Sequence, residues 1–180
     1  VMYGCNNFCT YCVVPYVRGR ERSRRREDII NEVKDLIADG CKEITLLGQN
    51  VNSYGKDSGD CDFADLVREI CALDGDFILR FMTSHPKDAS KKLIDTMAES
   101  PKCARQFHLP MQSGSARVLK AMNRCYTPEK YLEVVDYMRE KMPGIAISSD
   151  IIVGFPGETD GEFNETINML NKVKFDMVYS

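Results

Sequence analysis

The sequence predicts an α/β fold, a partial and curved (β/α) barrel of parallel strands with helices on the outside. Three observations predict it. Short apolar runs alternate with segments of helical period at roughly 30-residue intervals, the rhythm of βαβ units. Six strands are counted, too few for a closed eight-stranded barrel. No Gly-rich phosphate fingerprint follows the first strand, which argues against a dinucleotide-binding sheet.

The elements follow in order. Strands are expected at Val1–Tyr3, as an edge, and at Glu43–Gly48, Phe77–Met82, Gln106–Leu109, Ile145–Val153 and Phe175–Tyr179. Ile29, Val33, Leu36 and Ile37 line one helical face, and Gly40 closes that helix in the C′ position. Phe63, Leu66, Val67 and Ile70 repeat the spacing. Thr127 before Pro128 opens a further helix, because proline is tolerated at the first helical position. Thr159 and Glu162 form a capping box for the last helix, whose expected apolar face is Phe163, Ile167 and Leu170. The "GFPGET" stretch (154–159) reads as the turn that feeds this cap.

At 180 residues and 43% hydrophobic, the chain can bury one substantial core. Residues 1–180 read as one domain, with no linker or low-complexity tract. No apolar run approaches the length of a membrane span. The 24 basic and 27 acidic side chains exclude a polycation overall. Arg18, Arg20, Arg22, Arg24, Arg25 and Arg26 nevertheless form a local basic run, which is either a phosphate-facing patch or a solvated charged face.

Polar clusters mark where the chemistry sits. "GQN" (48–50), "TSH" (83–85) and "PMQSG" (110–114) each come directly after an expected strand. In parallel α/β folds the carboxyl ends of the strands carry the site. Cys5, Cys9 and Cys12 follow the first strand and belong to the same rim.

Structural zinc wants four N or S ligands. Here three thiols are clustered, and the histidines, His85 and His108, are distant in sequence. His108 lies within a strand, where a satisfied or barrel-lining histidine is the ordinary reading. A disulfide would leave one of the three odd. An iron–sulfur cluster fits better, since cuboidal clusters are held by closely spaced thiolates, and three of them leave one iron open for a ligand. Cys41, Cys61, Cys71, Cys103 and Cys125 are widely scattered and read as small buried hydrophobes or indifferent thiols. A reducing, cytoplasmic compartment is expected.

"CNNFCTYC" (5–12) is C-x3-C-x2-C with an aromatic, Tyr11, just before the last cysteine. It resembles the signature of radical S-adenosylmethionine enzymes. The resemblance implies a partial (β/α)6 barrel, a 4Fe–4S cluster on Cys5, Cys9 and Cys12, and S-adenosylmethionine chelated at the open iron, whose reductive cleavage yields a 5′-deoxyadenosyl radical. "VVPYVRGRERSR", "EITLLGQNVNSYGKD", "RFMTSHPKD", "HLPMQSGSARVLKAMNR" and "SSDIIVGFPGETD" resemble, stretch by stretch, the radical domain of the methylthiotransferases. "LLGQNVNSYG" is similar to the MiaB-type branch, which 2-methylthiolates N6-isopentenyladenosine in tRNA; the threonylcarbamoyl-adenosine and ribosomal-protein branches usually differ at "GQN". Arg25 departs from the family, which commonly has proline after "SR".

The resemblance also implies roles. Tyr11 points its backbone toward the adenine, and its ring has packing as an alternative reading. Gln49 and Asn50 meet the methionyl amino group. Gln112 and Arg124 meet the carboxylate, for which a guanidinium fork is suited; taken alone, Arg124 reads as a solvated residue at a helix C-terminus. Ser148 and Asp150 alternate in one strand and so share a face, with ribose hydroxyls as donors to Asp150. The arginine run would position tRNA through its phosphates. The full enzyme is expected to add an N-terminal domain with a second 4Fe–4S cluster, a C-terminal RNA-binding domain, and an electron donor such as flavodoxin or ferredoxin. A non-enzymatic alternative is an iron–sulfur electron-transfer or carrier module. The sulfur source stays open.

Overall fold

The computed structural model describes residues 1–180. Strand β1 (Met2–Tyr3) pairs antiparallel with β2 (Arg22–Ser23). The parallel strands then follow in chain order: β3 (Glu43–Leu46), β4 (Ile78–Phe81), β5 (Gln106–His108), β6 (Ala146–Asp150) and β7 (Met177–Tyr179). β3 pairs with β4, and β5 with β6 and β6 with β7. A parallel bridge from Leu79 to Cys103 links β4 to the residues just before β5. Sequential parallel order with helical crossovers is the predicted partial barrel.

Helices α1 (Val14–Arg18), α2 (Arg26–Ala38), α3 (Phe63–Cys71), α4 (Lys91–Glu99), α5 (Ala116–Ala121), α6 (Pro128–Lys141) and α7 (Asp160–Val173) connect the strands. The expected punctuation is present. α2 ends with Gly40 at positive φ, the Gly40 N–H donating to the Ile37 carbonyl and the Cys41 N–H to that of Leu36. The Thr127 hydroxyl caps α6, and Thr159 with Glu162 forms the capping box of α7.

Alternation along the strands separates two faces. Leu46, Leu79, Phe81, Phe107 and Ile147 are buried under the helices. Phe63 of α3 meets Phe81 edge-on at 5.1 Å, and Phe81 meets Phe107 at 5.2 Å. Such aromatic pairs add about 0.5–1.5 kcal/mol beyond area burial. The other face carries His108, Ser148 and Asp150, and lower down Arg80, which is paired to Glu43 at 3.0 Å.

Three expectations need correction. β1 is not a sixth strand of the parallel sheet; its ladder partner is β2, and it is tied beside β3 by the amino group of Val1 on the Leu47 carbonyl at 2.8 Å and by the Gly4 N–H on the Gln49 side chain. β2 itself lies inside the arginine run, where no apolar alternation announces it. The third concerns α7, whose buried side chains are Thr166, Met169 and Val173, with Ile167 exposed and Phe163 and Leu170 half-buried. Gly114 sets that rotation. A Cβ there would stand 2.6 Å from the Thr166 Cα, and the Gly114 N–H donates to the Thr166 hydroxyl at 2.9 Å.

Candidate functional site

The loop bearing Cys5, Cys9 and Cys12 leaves β1 and is fastened at both ends. At its start the Gly4 N–H donates to the Gln49 Oε1 at 2.7 Å, and the Cys5 N–H to the Gly19 carbonyl at 3.1 Å. At its far side Asn123, in the left-handed region after α5, donates through Nδ2 to the carbonyls of Asn7 and Phe8. The Thr10 N–H donates to the Met122 carbonyl at 3.1 Å. The loop therefore spans the mouth of the barrel from the end of β3 to the end of α5.

Beneath it lies a cavity of about 180 Å³. All three cysteines line it, together with Tyr11, Gln49, Asn50, Gln112, Arg124 and Asp150. The structure thus brings together residues that stood over a hundred positions apart in sequence. Ser148 lies one step behind, its hydroxyl 3.0 Å from the Nδ1 of His108, whose Nε2 is 3.3 Å from Asp150. His108 and Ser148 are register partners on β5 and β6, which is why this chain of contacts forms.

Arg124 is only 8% exposed and is not a solvated helix end. Its Nη2 donates to the Pro110 carbonyl at 2.9 Å and its Nε to the Tyr126 hydroxyl at 3.1 Å. Its Nη1 stands 3.6 Å from the Cys9 Sγ and 3.5 Å from the Tyr11 hydroxyl. A buried cation is thereby aimed at the cysteine loop. Burial holds the Tyr11 and Tyr126 phenols up against the opposing pull of Arg124, Tyr126 to about 12, so both stay neutral donors.

Asn7, Thr83, Ser84, His85, His108 and Pro110 also line the cavity, although the sequence assigns no binding role to any of them. Burial first, and then Arg124, Lys87 and Lys56, push His85 down to about 2, so its ring is neutral. Its Nδ1 accepts from the Lys87 N–H at 3.3 Å, which leaves the proton on Nε2. "TSH" after a strand was the available signal, and its rim position was the part of it that could be read.

The residues fit an iron–sulfur cluster with an amino-acid ligand. No three His, Cys, Asp or Glu side chains stand close enough for one metal ion. The thiols of a cuboidal cluster each take a different iron and stand further apart. Burial raises the Cys5 thiol, and Glu21, Cys9 and Cys12 push the same way, an electrostatic conflict that a shared cationic centre removes. Asn7 Oδ1, Asn50 Oδ1 and Ser84 Oγ, all on residues that line the cavity, are buried without a hydrogen-bond partner, a state that a ligand's donors would relieve.

The six arginines do not form one free patch. Arg24 pairs with Glu32 at 2.7 Å, Arg25 with Glu27 at 3.8 Å, and Arg26 with Glu69 at 3.7 Å and Asp60 at 4.0 Å. Arg18, Arg20 and Arg22 are exposed. Arg18 ends α1, beside exposed Tyr16 and Val17. No helix is long and apolar enough to cross a membrane.

Comparison with known proteins is consistent with this geometry. A family model described as the Radical SAM superfamily matches residues 1–170. A tRNA-2-methylthio-N(6)-dimethylallyladenosine synthase of Alkaliphilus oremlandii is 57% identical over the whole of this chain, which covers 38% of that protein. One from Acetivibrio thermocellus is 58% identical, again over 100% of this chain and 38% of the relative. The chain therefore spans about two fifths of the length of the curated relatives it matches. Among solved structures, the cobalamin-dependent S-adenosylmethionine radical enzyme OxsB, with aqua-cobalamin and S-adenosylmethionine bound, superposes with a TM-score of 0.75 at 15% identity over 94% of this chain and 25% of that one. Methylornithine synthase (PylB) gives 0.63 at 15% identity, over 97% of this chain and 49% of its own. With the family model matching nearly the whole sequence that builds this site, the chain belongs to the Radical SAM superfamily.

Proposed function

We propose that this chain is the radical domain of a tRNA methylthiotransferase that, within the longer protein, 2-methylthiolates N6-isopentenyladenosine. The observation that carries the reading is identity of 57% along the entire chain to relatives bearing that name, with no motif of the cavity left outside the match. The longer protein would add an N-terminal domain with a second cluster, an RNA-binding domain, and access to a flavodoxin- or ferredoxin-like electron donor.

The roles follow from the donors and acceptors in place. Cys5, Cys9 and Cys12 hold the 4Fe–4S cluster. Arg124, pinned by Pro110 and Tyr126, offers its remaining N–H groups to the methionyl carboxylate, with Gln112 beside it. Asn50 supplies an acceptor for the amino group. The Gln49 oxygen is already engaged by Gly4, which leaves its NH2 as a donor and gives Gln49 the further task of fastening the cysteine loop. Asp150, oriented through His108 and Ser148, accepts from ribose hydroxyls, and the Tyr11 backbone lies toward the adenine. When bound, the cluster and S-adenosylmethionine supply one-electron reductive cleavage and hydrogen abstraction. The target adenine must leave its stack to reach this cavity.

The test is incubation of the full-length protein with isopentenylated tRNA, S-adenosylmethionine and a low-potential reductant. Formation of the 2-methylthio nucleoside together with 5′-deoxyadenosine is expected. Deoxyadenosine with methylthiolation of a threonylcarbamoylated tRNA or a protein instead would move the chain to another branch, and no deoxyadenosine from cluster-loaded protein would sink the enzymatic reading.

The ion pairs divide the arginine run. Replacing the exposed trio Arg18, Arg20 and Arg22 by alanine should weaken tRNA binding and flatten its salt dependence, by up to about 0.9 in the log–log slope for each phosphate no longer neutralised. The same change at Arg24, Arg25 and Arg26 should do less, since their charges are already matched by acids. Equal effects from the two trios, measured by titration at several salt concentrations, would show that the pairing does not matter.

A further inference from the structure

Asn50 follows β3 and is 1% exposed. Its Nδ2 donates to the Asp88 Oδ2 at 2.7 Å. Asp88 ends the turn Pro86–Asp88 that follows β4, so the contact joins the ends of two neighbouring strands across 38 positions of sequence. The carboxylate is itself 4% exposed, and its other oxygen is paired with Lys56. A carboxylate has no proton to give, so the Asn50 amide must turn its NH2 toward Asp88. Its Oδ1 is then committed to the opposite side, where it is buried and has no partner. Leaving an acceptor in that state is unfavourable unless a ligand supplies a donor.

The rest of the cavity is polarised to match. Ser84, after β4, holds a second buried oxygen without a partner. Arg124, after α5, supplies only donors. Unpartnered acceptors at the ends of β3 and β4 and a guanidinium on the lining of one cavity suit an α-amino acid, which brings an ammonium and a carboxylate.

We propose that Asp88, clamped by Lys56, is a positioning residue that fixes the Asn50 amide so that its oxygen is reserved for the ammonium group of the amino-acid ligand. The inference rests on the reading of the cavity as an S-adenosylmethionine site and adds to it a selectivity device: Asp88 makes the site read the charged amino group without touching it. Without Asp88 the amide is free to flip, and a flipped Asn50 would present NH2 to an ammonium.

The experiment measures equilibrium binding to cluster-loaded protein of S-adenosylmethionine and of its deaminated analogue, which has hydrogen in place of the amino group. Wild type should prefer S-adenosylmethionine. Asp88→Ala should lose about 10-fold or more in affinity for S-adenosylmethionine, while affinity for the analogue and iron content stay close to wild type. Asp88→Asn can still present an oxygen to the Asn50 NH2 and should largely restore the preference. In an Asn50→Leu background, Asp88→Ala should have no further effect on either ligand. Equal losses for both ligands, or an undiminished Asp88 effect in the Asn50→Leu background, would overturn the proposal. Absence of S-adenosylmethionine binding by iron-loaded wild type would instead refute the reading beneath it. If alanine at position 88 abolishes iron loading, Asp88→Asn and Asn50→Leu carry the same comparison: Asn50→Leu must remove the preference and Asp88→Asn must keep it.

Discussion

Cys9→Ala is expected to abolish iron loading. Anaerobic reconstitution of the wild-type chain should give about four irons per chain, as one cuboidal cluster requires. Cys9 sits at the centre of the loop, buried, with its sulfur 3.6 Å from Arg124. Removing its thiolate leaves two ligands, too few to hold a cuboidal cluster in this loop. The loop itself should survive, because its fastenings are backbone contacts to Gln49, Gly19, Asn123 and Met122, and Arg124 keeps Pro110 and Tyr126 as partners. Circular dichroism should therefore match wild type while iron and the associated visible absorbance disappear. Cys41→Ala and Cys103→Ala should load normally, since neither residue lines the cavity. Stoichiometric zinc without iron uptake by the wild type would end the radical reading.

Gly4→Ala should be the most disruptive single methyl group near the site, and Gly19→Ala measures how much of that is steric. Both residues have φ of +74°. A Cβ on Gly19 meets nothing within 4 Å, so alanine there carries only the conformational penalty of its φ +74°, ψ −162° backbone, about 1–3 kcal/mol. A Cβ on Gly4 would stand 2.1 Å from the Arg20 carbonyl oxygen and 2.5 Å from that of Gly19. These are backbone atoms that cannot rotate aside. Relief requires β1 and the β2 arm to separate, which breaks the Gly4–Gln49 and Cys5–Gly19 hydrogen bonds. A loss of about 3 kcal/mol or more is expected from denaturant unfolding, with weakened iron loading. Equal destabilisation by the two substitutions would mean that the close approach at Gly4 relaxes freely.

What was legible in sequence was whatever local chemistry specifies. The capping box at Thr159 and Glu162 and the αL end of α2 at Gly40 depend on residues within a few positions of each other, and the structure has both. Strands β3 to β7 were legible as apolar runs, with boundaries drawn a residue or more too long. The rim was legible because parallel strands put their following loops on one side. The failures are tertiary. β2 is held by its register with β1 and not by any pattern of its own. α1 and α5 are too short to display a helical period. α7 is rotated by the close approach of Gly114 to Thr166, which no periodicity within the helix records. The ion pairs that join Arg24 and Arg26 to Glu32, Asp60 and Glu69 are invisible to a charge count along the chain. The pairing of Asn50 with Asp88 is of the same kind.

The strictly sequential order of the parallel strands bears on how the molecule assembles in time. β4, β6 and β7 each pair with the strand made before them, about 30–40 residues earlier, and β5 follows β4 through the Leu79–Cys103 bridge. No strand inserts between two already placed. The sheet can therefore extend at its growing margin as the chain leaves the ribosome, each βα unit docking on a finished neighbour and never waiting for a distant partner. The mouth of the barrel follows another schedule. The cysteine loop precedes all of the parallel strands, yet its far side is secured by Ala121, Met122 and Asn123, so it stays unfastened until α5 and the residues just after it have emerged. Metal delivered during synthesis would find the thiols in a loosely tethered arm, and the structure sets the completion of α5 as the earliest moment at which the loop is closed on both sides.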